Sequence, residues 1–180
     1  MAVALGISLL SLMAIFFFIF GIRTKRTSDN YELYRPIATR AARRHGIEPE
    51  LVLAVIKRES NFDPDARGAA GEYGLMQVTR IAARDWERLN HRRIRNDNDL
   101  FDPELNIEIG TWYLARAWRY FDDHPDRLIL ALSQYNAGPS RAKKWSEKYE
   151  ENLLEQIPIA STRRYITKVT GYYEDYLLTD

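Results

Sequence analysis

The chain has 180 residues, and about 150 remain once an apolar N-terminal segment is set aside, which suits one compact domain. It contains no cysteine, so disulfides, thiolate metal sites and a cysteine nucleophile are excluded. The net charge of the chain is +1. Three basic residues follow the apolar segment, and without them 23 basic side chains remain against 25 acidic ones. A nucleic-acid-binding protein would carry a basic stripe, which this chain lacks.

Residues 2–22 are almost wholly apolar, and about 20 such residues cross a bilayer as a helix. A cleaved signal peptide would carry a basic start and a small-x-small cleavage site, and neither is present. We therefore predict an uncleaved membrane anchor over residues 1–22, with residues 3–22 inside the membrane. Residues 23–30 are predicted to be a short polar linker, and residues 31–180 a single domain.

The domain is predicted to be all-α, because apolar residues recur at spacings of three and four and no stretch alternates over the length of a strand. Gly46 would end the first helix, Pro49 and Pro103 stand at helix starts, and Ser161 could cap the last helix. The predicted helices cover residues 31–45, 49–59, 79–89, 103–121, 125–135 and 161–173, with loops at 61–73 and 91–101.

One acidic residue extends the apolar face of the second helix. Val52, Val55 and Ile56 fall at helical spacing and should face the core. Glu59 continues this stripe at the C-terminal end of the helix, while Arg58 is predicted to point elsewhere. Burial and the negative end of the helix dipole should both raise the pKa of Glu59, which suits a general acid. The alternative is a glutamate that reaches solvent or pairs with an arginine.

After this helix the chain turns at Asp63-Pro64 and enters a loop that contains Gly68, Gly71 and Gly74. Glycines let a backbone approach a ligand closely. A glycine-rich loop is more often only a turn, so this feature alone is weak support for a binding site.

Five segments make the pattern more specific. They are ESNFDP at 59–64, GLMQV at 74–78, DPELNIEIGTWYL at 102–114, ALSQYNAGPSRAKKW at 131–145 and IPIASTRRYI at 157–166. In order and spacing they resemble the successive motifs of the lytic transglycosylase catalytic domain, the soluble-lytic-transglycosylase module related to goose-type lysozyme. The resemblance covers roughly residues 48–173, which is nearly the whole globular part.

The resemblance implies a lysozyme-like fold with a groove for peptidoglycan glycan strands and Glu59 as the single catalytic carboxylate. In such enzymes the acid protonates the bond between N-acetylmuramic acid and N-acetylglucosamine. The same group, now a base, deprotonates the muramoyl C6 hydroxyl, which closes on C1 and leaves a 1,6-anhydromuramoyl end. No water is consumed, no cofactor or metal is implied, and the substrate's acetamido group stabilises the cationic centre in place of a second carboxylate.

The resemblance also implies substrate-binding positions. Gln77 and the backbone of Leu75 and Met76 match the groove wall beside the acetamido site. Tyr135 and Asn136 match the YNAG motif beside the catalytic glutamate, and Tyr165 matches the tyrosine of the final motif. Tyr113 shares a helix face with Asn106 and Gly110, and close helix packing is the alternative interpretation of that face; Met76 also suits a core position. The substrate-binding residues carried over are Leu75, Met76, Gln77, Tyr113, Tyr135, Asn136 and Tyr165.

Three positions depart from the family pattern. Gly68 stands where the family often has a serine, which removes one hydroxyl that could bind substrate. Glu72 stands where an alanine is common, so it could be a second acid near the groove. Ser161 replaces the glutamate of the usual Glu-Thr-Arg motif, and we expect the fold to tolerate this change.

Two other functions compete with the lyase. A lysozyme-type hydrolase would need a second carboxylate, for which Asp63, Glu72 and Asp97 are candidates. A non-catalytic peptidoglycan-binding or scaffold protein would be expected to lack the glutamate, but Glu59 is present. No metal site is predicted, because the three histidines do not have ligand spacing.

The implied substrate lies outside the cytoplasm, so we expect a single-pass protein of the bacterial inner membrane with its catalytic domain in the periplasm. Its expected partners are glycan strands and the membrane, through residues 3–22, with no nucleic acid. Arg23, Lys25 and Arg26 argue for the opposite orientation, since positive charges usually stay in the cytoplasm. The sequence does not indicate a protein partner.

Overall fold

The computed structural model describes residues 9–149 and 151–179 and is mainly helical, which confirms that part of the predicted fold class. Two-residue strands, β1 (Glu72–Tyr73) and β2 (Val78–Thr79), pair in antiparallel fashion. The described helices are α1 (Leu9–His45), α2 (Pro49–Ser60), α3 (Arg80–Asn90), α4 (Pro103–Tyr120), α5 (Arg127–Ala137), α6 (Pro139–Lys148), α7 (Leu153–Gln156) and α8 (Ala160–Thr179), with a 3₁₀ turn at Asp97–Phe101.

Helix α1 is longer than predicted. Its described part, Leu9–His45, joins the predicted anchor to the first predicted helix of the domain, because it continues through residues 23–30 and Pro36. The segment predicted as a linker is helical, because it contains neither glycine nor proline to stop the helix. Residues 1–8 of the predicted anchor lie outside the described residues. Where the chain is described, no helix combines the length and apolar character required to cross a membrane.

Helix α2 lies at the centre of the core. All its residues from 51 to 56 are buried, because α2 packs against both α1 and α8. The predicted apolar face of Val52, Val55 and Ile56 is completely buried, as expected of a helix with neighbours on several sides. Tight packing on this scale fixes the direction of the helix, and therefore the position of its C-terminal end.

Side-chain caps fix the starts of two further helices close to where the sequence predicted them. The Thr79 hydroxyl accepts a hydrogen bond from the Ala82 N–H at 3.1 Å at the start of α3. The Asp102 carboxylate accepts one from the Leu105 N–H at 2.8 Å at the start of α4. Each cap satisfies a backbone donor that the helix itself leaves unpaired. Helix α8 instead begins at Ala160, so Ser161 lies inside its first turn and is not the cap.

Short elements were missed in the predicted loops. Loop 61–73 contains β1, whose Glu72 lies opposite Thr79 of β2, and loop 91–101 contains the 3₁₀ turn. Helices α6 and α7 were also not predicted. Two-residue strands and a four-residue helix are shorter than the windows in which periodicity can be recognised.

Candidate active site

Glu59 lies in the last turn of α2, where the buried stripe of this helix reaches the surface. Its side chain is partly buried, and the loss of water around it raises the pKa of the Glu59 carboxyl to about 7. The negative charge of Glu72 also raises this pKa, whereas the Tyr165 hydroxyl and the charge of Arg58 lower it. Both protonation states are therefore populated at neutral pH, as general acid–base chemistry requires.

Tyr165, on helix α8 at the other end of the domain sequence, lies near Glu59. Its buried hydroxyl has no partner at full hydrogen-bond geometry among the described residues, yet it is near enough to favour the ionised form of Glu59. Burial, together with the charge of Glu59, raises the pKa of Tyr165 well above its ordinary value. Tyr165 therefore remains a neutral hydroxyl next to the acid at any physiological pH.

Arg58 does not point away from this region. Its guanidinium lies 5.4 Å from the centre of the Tyr165 ring, in a cation–π contact. The prediction for Arg58 was wrong because α2 ends two residues later, so a long side chain in its last turn can reach across the end of the helix. The positive charge lowers the pKa of Glu59 and so limits the effect of burial.

Side chains from two helices hold the loop at residues 74–77. The Ser60 hydroxyl donates to the Leu75 carbonyl oxygen at 2.8 Å, and the Tyr135 hydroxyl donates to the Met76 carbonyl oxygen at 2.7 Å. The side chains of Leu75 and Met76 are completely buried. Their backbone is also inaccessible, so in this structure both residues anchor the loop in the core, and their assignment to substrate binding stays a prediction.

The buried Asn106 of α4 joins three backbone segments. Its Oδ1 accepts from the Met76 N–H at 2.8 Å, and its Nδ2 donates to the carbonyl oxygens of Tyr73 and Leu100, each at 2.7 Å. Gly110 lies one turn further along α4, and a Cβ added there would lie 2.5 Å from Met76 Sδ. Close packing against the loop, one of the two interpretations left open by the sequence, therefore describes both Asn106 and Gly110.

Gln77 has a left-handed backbone, with φ of 48°, which costs a residue other than glycine about 1 kcal/mol or more. Its Nε2 donates to the carbonyl oxygens of Gly74 at 2.8 Å and Ala66 at 3.2 Å. These two bonds fix which way the amide faces, since only the nitrogen can donate. The amide oxygen is thereby directed towards Gly68.

The aromatic residues assigned to substrate binding occupy different environments. Tyr113 and Tyr135 make an edge-to-face contact between α4 and α5, with ring centres 5.8 Å apart. Burial first, and then the charge of Glu59, raises the pKa of Tyr135 well above its ordinary value, so the ring is near enough to the acid to feel its charge. Asn136 is exposed, and its Oδ1 accepts from the Thr162 hydroxyl at 2.9 Å, so it joins α5 to the start of α8.

The structure thus brings together Glu59, Tyr135 and Tyr165, while Asn136 lies at the surface. Ser60, to which the sequence analysis gave no role, holds the loop; its place directly after the acid in the ESNFDP segment was the available signal. Within the described ranges, no three acidic or histidine side chains are grouped so as to hold a metal ion.

The three candidate second carboxylates differ in their surroundings. Asp97 bonds to the Tyr73 hydroxyl at 3.0 Å and pairs with Arg80 at 3.2 Å, so it is engaged with β1 and α3. Asp63 accepts from the Asp65 N–H at 3.2 Å in the turn after α2. Of the three candidates, Glu72 is the one whose negative charge raises the pKa of Glu59.

Known proteins with similar sequences and structures share a single activity in their names. The membrane-bound lytic murein transglycosylase F of Desulfosudis oleivorans is 34% identical over 152 residues, which cover 78% of this chain and 32% of the relative. The soluble lytic murein transglycosylase of Escherichia coli is 30% identical over 142 residues, covering 74% of this chain and 22% of the relative. The chain therefore spans about a third or less of the length of these relatives.

Solved structures agree with this comparison. The lytic transglycosylase Slt of Pseudomonas aeruginosa, solved as an inactive mutant, superposes with a TM-score of 0.72 at 29% identity, over 80% of this chain and 24% of that one. A complex of the 70-kDa soluble lytic transglycosylase with bulgecin A gives a TM-score of 0.73 at 28% identity, over 82% and 25%. The sequence model of the Transglycosylase SLT domain matches residues 36–157. The resemblance seen in the five motifs is confirmed, and this chain belongs to the transglycosylase SLT domain family.

Proposed function

We propose that the chain is a peptidoglycan lytic transglycosylase with Glu59 as its general acid and then its general base. The observation that carries the proposal is the raised pKa of Glu59, about 7, at the end of a completely packed helix. The names of the similar proteins, which are lytic murein transglycosylases, support the same reaction class.

The reaction needs one proton carrier and no water. Protonated Glu59 donates its proton to the oxygen that joins N-acetylmuramic acid to N-acetylglucosamine, and the bond from that oxygen to C1 breaks. The resulting carboxylate then accepts the proton of the muramoyl C6 hydroxyl as O6 bonds to C1. One proton has been given and one taken back, so the enzyme returns to its starting state with a 1,6-anhydromuramoyl product.

The surroundings of Glu59 suit this cycle. A pKa near the working pH makes both the donor and the acceptor form accessible without a large energetic cost. The C6 hydroxyl belongs to the reacting sugar, so its attack has the entropic advantage of an intramolecular step. Tyr135 and Tyr165 stay neutral near the acid, so neither competes with it for a proton.

A lysozyme-type hydrolase is the second candidate, and one observation favours it. The charge of Glu72 reaches Glu59 and raises its pKa, so a second carboxylate is present in the neighbourhood of the acid. A hydrolase would use that carboxylate to activate a water or to form a covalent intermediate. The products distinguish the two candidates.

Replacement of Glu59 by glutamine tests the catalytic assignment. Glu59→Gln keeps the shape of the side chain and removes its titratable proton. General acid–base catalysis contributes roughly 10²–10⁴-fold, and here one group serves both steps, so we expect a loss at or above the top of that range. Release of soluble muropeptides from purified cell walls measures the rate.

The matched control is Glu155→Gln, at an exposed position of α7, which should retain full activity. Circular dichroism should show the same helical content in both variants. A Glu59→Gln protein that degrades cell walls at a tenth of the parent rate would refute the assignment.

The chemistry of the products tests lyase against hydrolase. Digestion of peptidoglycan with the full chain in detergent should yield muropeptides that end in 1,6-anhydromuramic acid, because O6 and not water attacks C1. These products are lighter than hydrolysis products by one water and have no reducing end. Mass spectrometry before and after borohydride treatment measures both properties, with a muramidase digest of the same walls as reference. A majority of reducible muramoyl ends would establish the hydrolase instead.

We also propose that residues 3–22 anchor the chain in the inner membrane with the domain outside the cytoplasm. Five large apolar side chains among the described residues of this segment are at least half exposed: Leu12, Met13, Phe16, Phe17 and Phe18. Exposed apolar side chains grouped in this way are unfavourable in water, which supports a membrane as their surroundings. A relative named as membrane-bound supports the anchor. The location of the substrate determines the proposed orientation, against the bias of the three basic residues that follow the segment.

Alkaline phosphatase fused to the C-terminus of the full chain tests the orientation, because this enzyme is active only after export. We expect an active fusion that sediments with membranes. A matched fusion that lacks residues 2–22 should be inactive and soluble. An inactive, membrane-bound fusion of the full chain would place the domain in the cytoplasm and contradict both the orientation and the peptidoglycan substrate.

A further inference from the structure

Gly68 does not have a positive φ, so its backbone conformation does not require a glycine. The space beside Gly68, however, is too small for any side chain. A Cβ added to Gly68 would lie 2.0 Å from Glu72 Oε2 and 2.7 Å from Gln77 Oε1. Real Cβ atoms do not come this close to oxygen, so a side chain at position 68 and the observed position of the Glu72 carboxylate exclude each other.

The turn between these residues holds the Glu72 carboxylate over Gly68. The Gly68 N–H donates to the Glu72 carbonyl oxygen at 2.9 Å, which folds the chain back on itself. The Ala70 N–H donates to Glu72 Oε2 at 3.0 Å, and the pairing of Glu72 with Thr79 fixes the backbone. Within the described part of the chain, no hydrogen bond reaches Glu72 Oε1.

Gln77 adds a second acceptor at the same place. Its Nε2 is engaged with the carbonyl oxygens of Ala66 and Gly74, so the group that it directs towards Gly68 is the acceptor oxygen. The Ala70 N–H satisfies one acceptor position of Glu72 Oε2 and leaves room for a second donor, so a ligand donor bound between the two side chains would be favourable. This spot lies near the end of α2, because the hydroxyl of Ser60, the residue after Glu59, donates at 2.8 Å to the Leu75 carbonyl oxygen in the loop that carries Gln77. The charge of Glu72 also raises the pKa of Glu59.

We infer that Glu72 and Gln77 form an acceptor site over Gly68 that binds hydroxyl or amide N–H groups of the glycan next to Glu59, and that position 68 is glycine to leave room for the Glu72 carboxylate. The inference rests on the proposed function, because it takes the ligand to be an N-acetylated glycan. Sugar hydroxyls and acetamido N–H groups are donors, and a bond to a carboxylate is stronger than one to a neutral oxygen. Glu72 is thus a substrate-binding residue, and Gly68 positions it.

A double-mutant cycle on the full chain in detergent tests the pair. The probe is tetra-N-acetylchitotetraose, and calorimetry measures its binding. We expect Glu72→Ala to weaken binding about tenfold, through loss of a hydrogen bond to a charged group. Gly68→Ala should weaken binding at least as much, because the new Cβ displaces the flexible end of Glu72 and also crowds Gln77 Oε1.

The double variant decides the outcome. Gly68→Ala combined with Glu72→Ala should bind no more weakly than Gly68→Ala alone, because the first change has already removed the carboxylate from the site. Independent effects would multiply to about a hundredfold and would overturn the inference. Binding unchanged in Gly68→Ala, or no binding of the probe by the parent chain, would also overturn it.

The controls separate binding from folding and from catalysis. Gly171→Ala, at a glycine with no neighbour within 4 Å and no positive φ, and Glu155→Ala should both bind like the parent chain. Glu72→Gln keeps the shape of the side chain and should lose the part of the affinity that depends on charge, with its midpoint of thermal unfolding unchanged. Because the readout is binding, a parent chain that binds the probe but forms no anhydro product refutes the proposed function and leaves the Glu72 site testable.

Discussion

The removal of water from one carboxyl group is the interaction on which the rest of the site depends. Helix α2 is buried from Leu51 to Ile56 between α1 and α8, and the same stripe ends in Glu59. An acid held at that point cannot be fully solvated, so its neutral form is favoured and its pKa rises to about 7. The core that stabilises the domain is therefore also the cause of the chemical property that the reaction uses.

The raised pKa of Glu59 also makes the folded protein less stable at neutral pH. The pKa of Glu59 is higher in the folded protein than its ordinary value of 4.5, so ionisation favours the unfolded chain. The cost is absent below about pH 4.5, grows as the pH rises and is complete above about pH 7, where the shift corresponds to about 3 kcal/mol. The fixed loop beside the acid adds the strain of Gln77, which the bonds from Ser60, Asn106 and Tyr135 hold in place. Function and stability thus oppose each other in one small region.

The sequence was sufficient to predict the stripe on α2, the acid at its end and the family, because helical spacing and ordered motifs are local properties of a chain. It was insufficient where the outcome depends on contacts between distant segments. Arg58 reaches Tyr165, more than 100 residues away, and no spacing rule predicts that contact. Gly68 and Glu72 were each recognised as departures from the family pattern, but only the folded structure shows that the Glu72 carboxylate occupies the space that a side chain at position 68 would need. The helical conformation of residues 23–30 was missed because a polar segment without glycine or proline suits a linker and a helix equally well.

Direct titration of Glu59 tests the central claim, which is that burial keeps this one carboxyl protonated near neutral pH. Carbon-13 labelling of glutamate side chains in the full chain allows each carboxyl resonance to be followed by NMR as the pH is changed. The resonance that is absent from the Glu59→Gln protein belongs to this residue. If burial raises the pKa of Glu59, the midpoint for that resonance lies near pH 7. A midpoint near the ordinary value of 4.5 would show that Glu59 is ionised at working pH and would contradict the account.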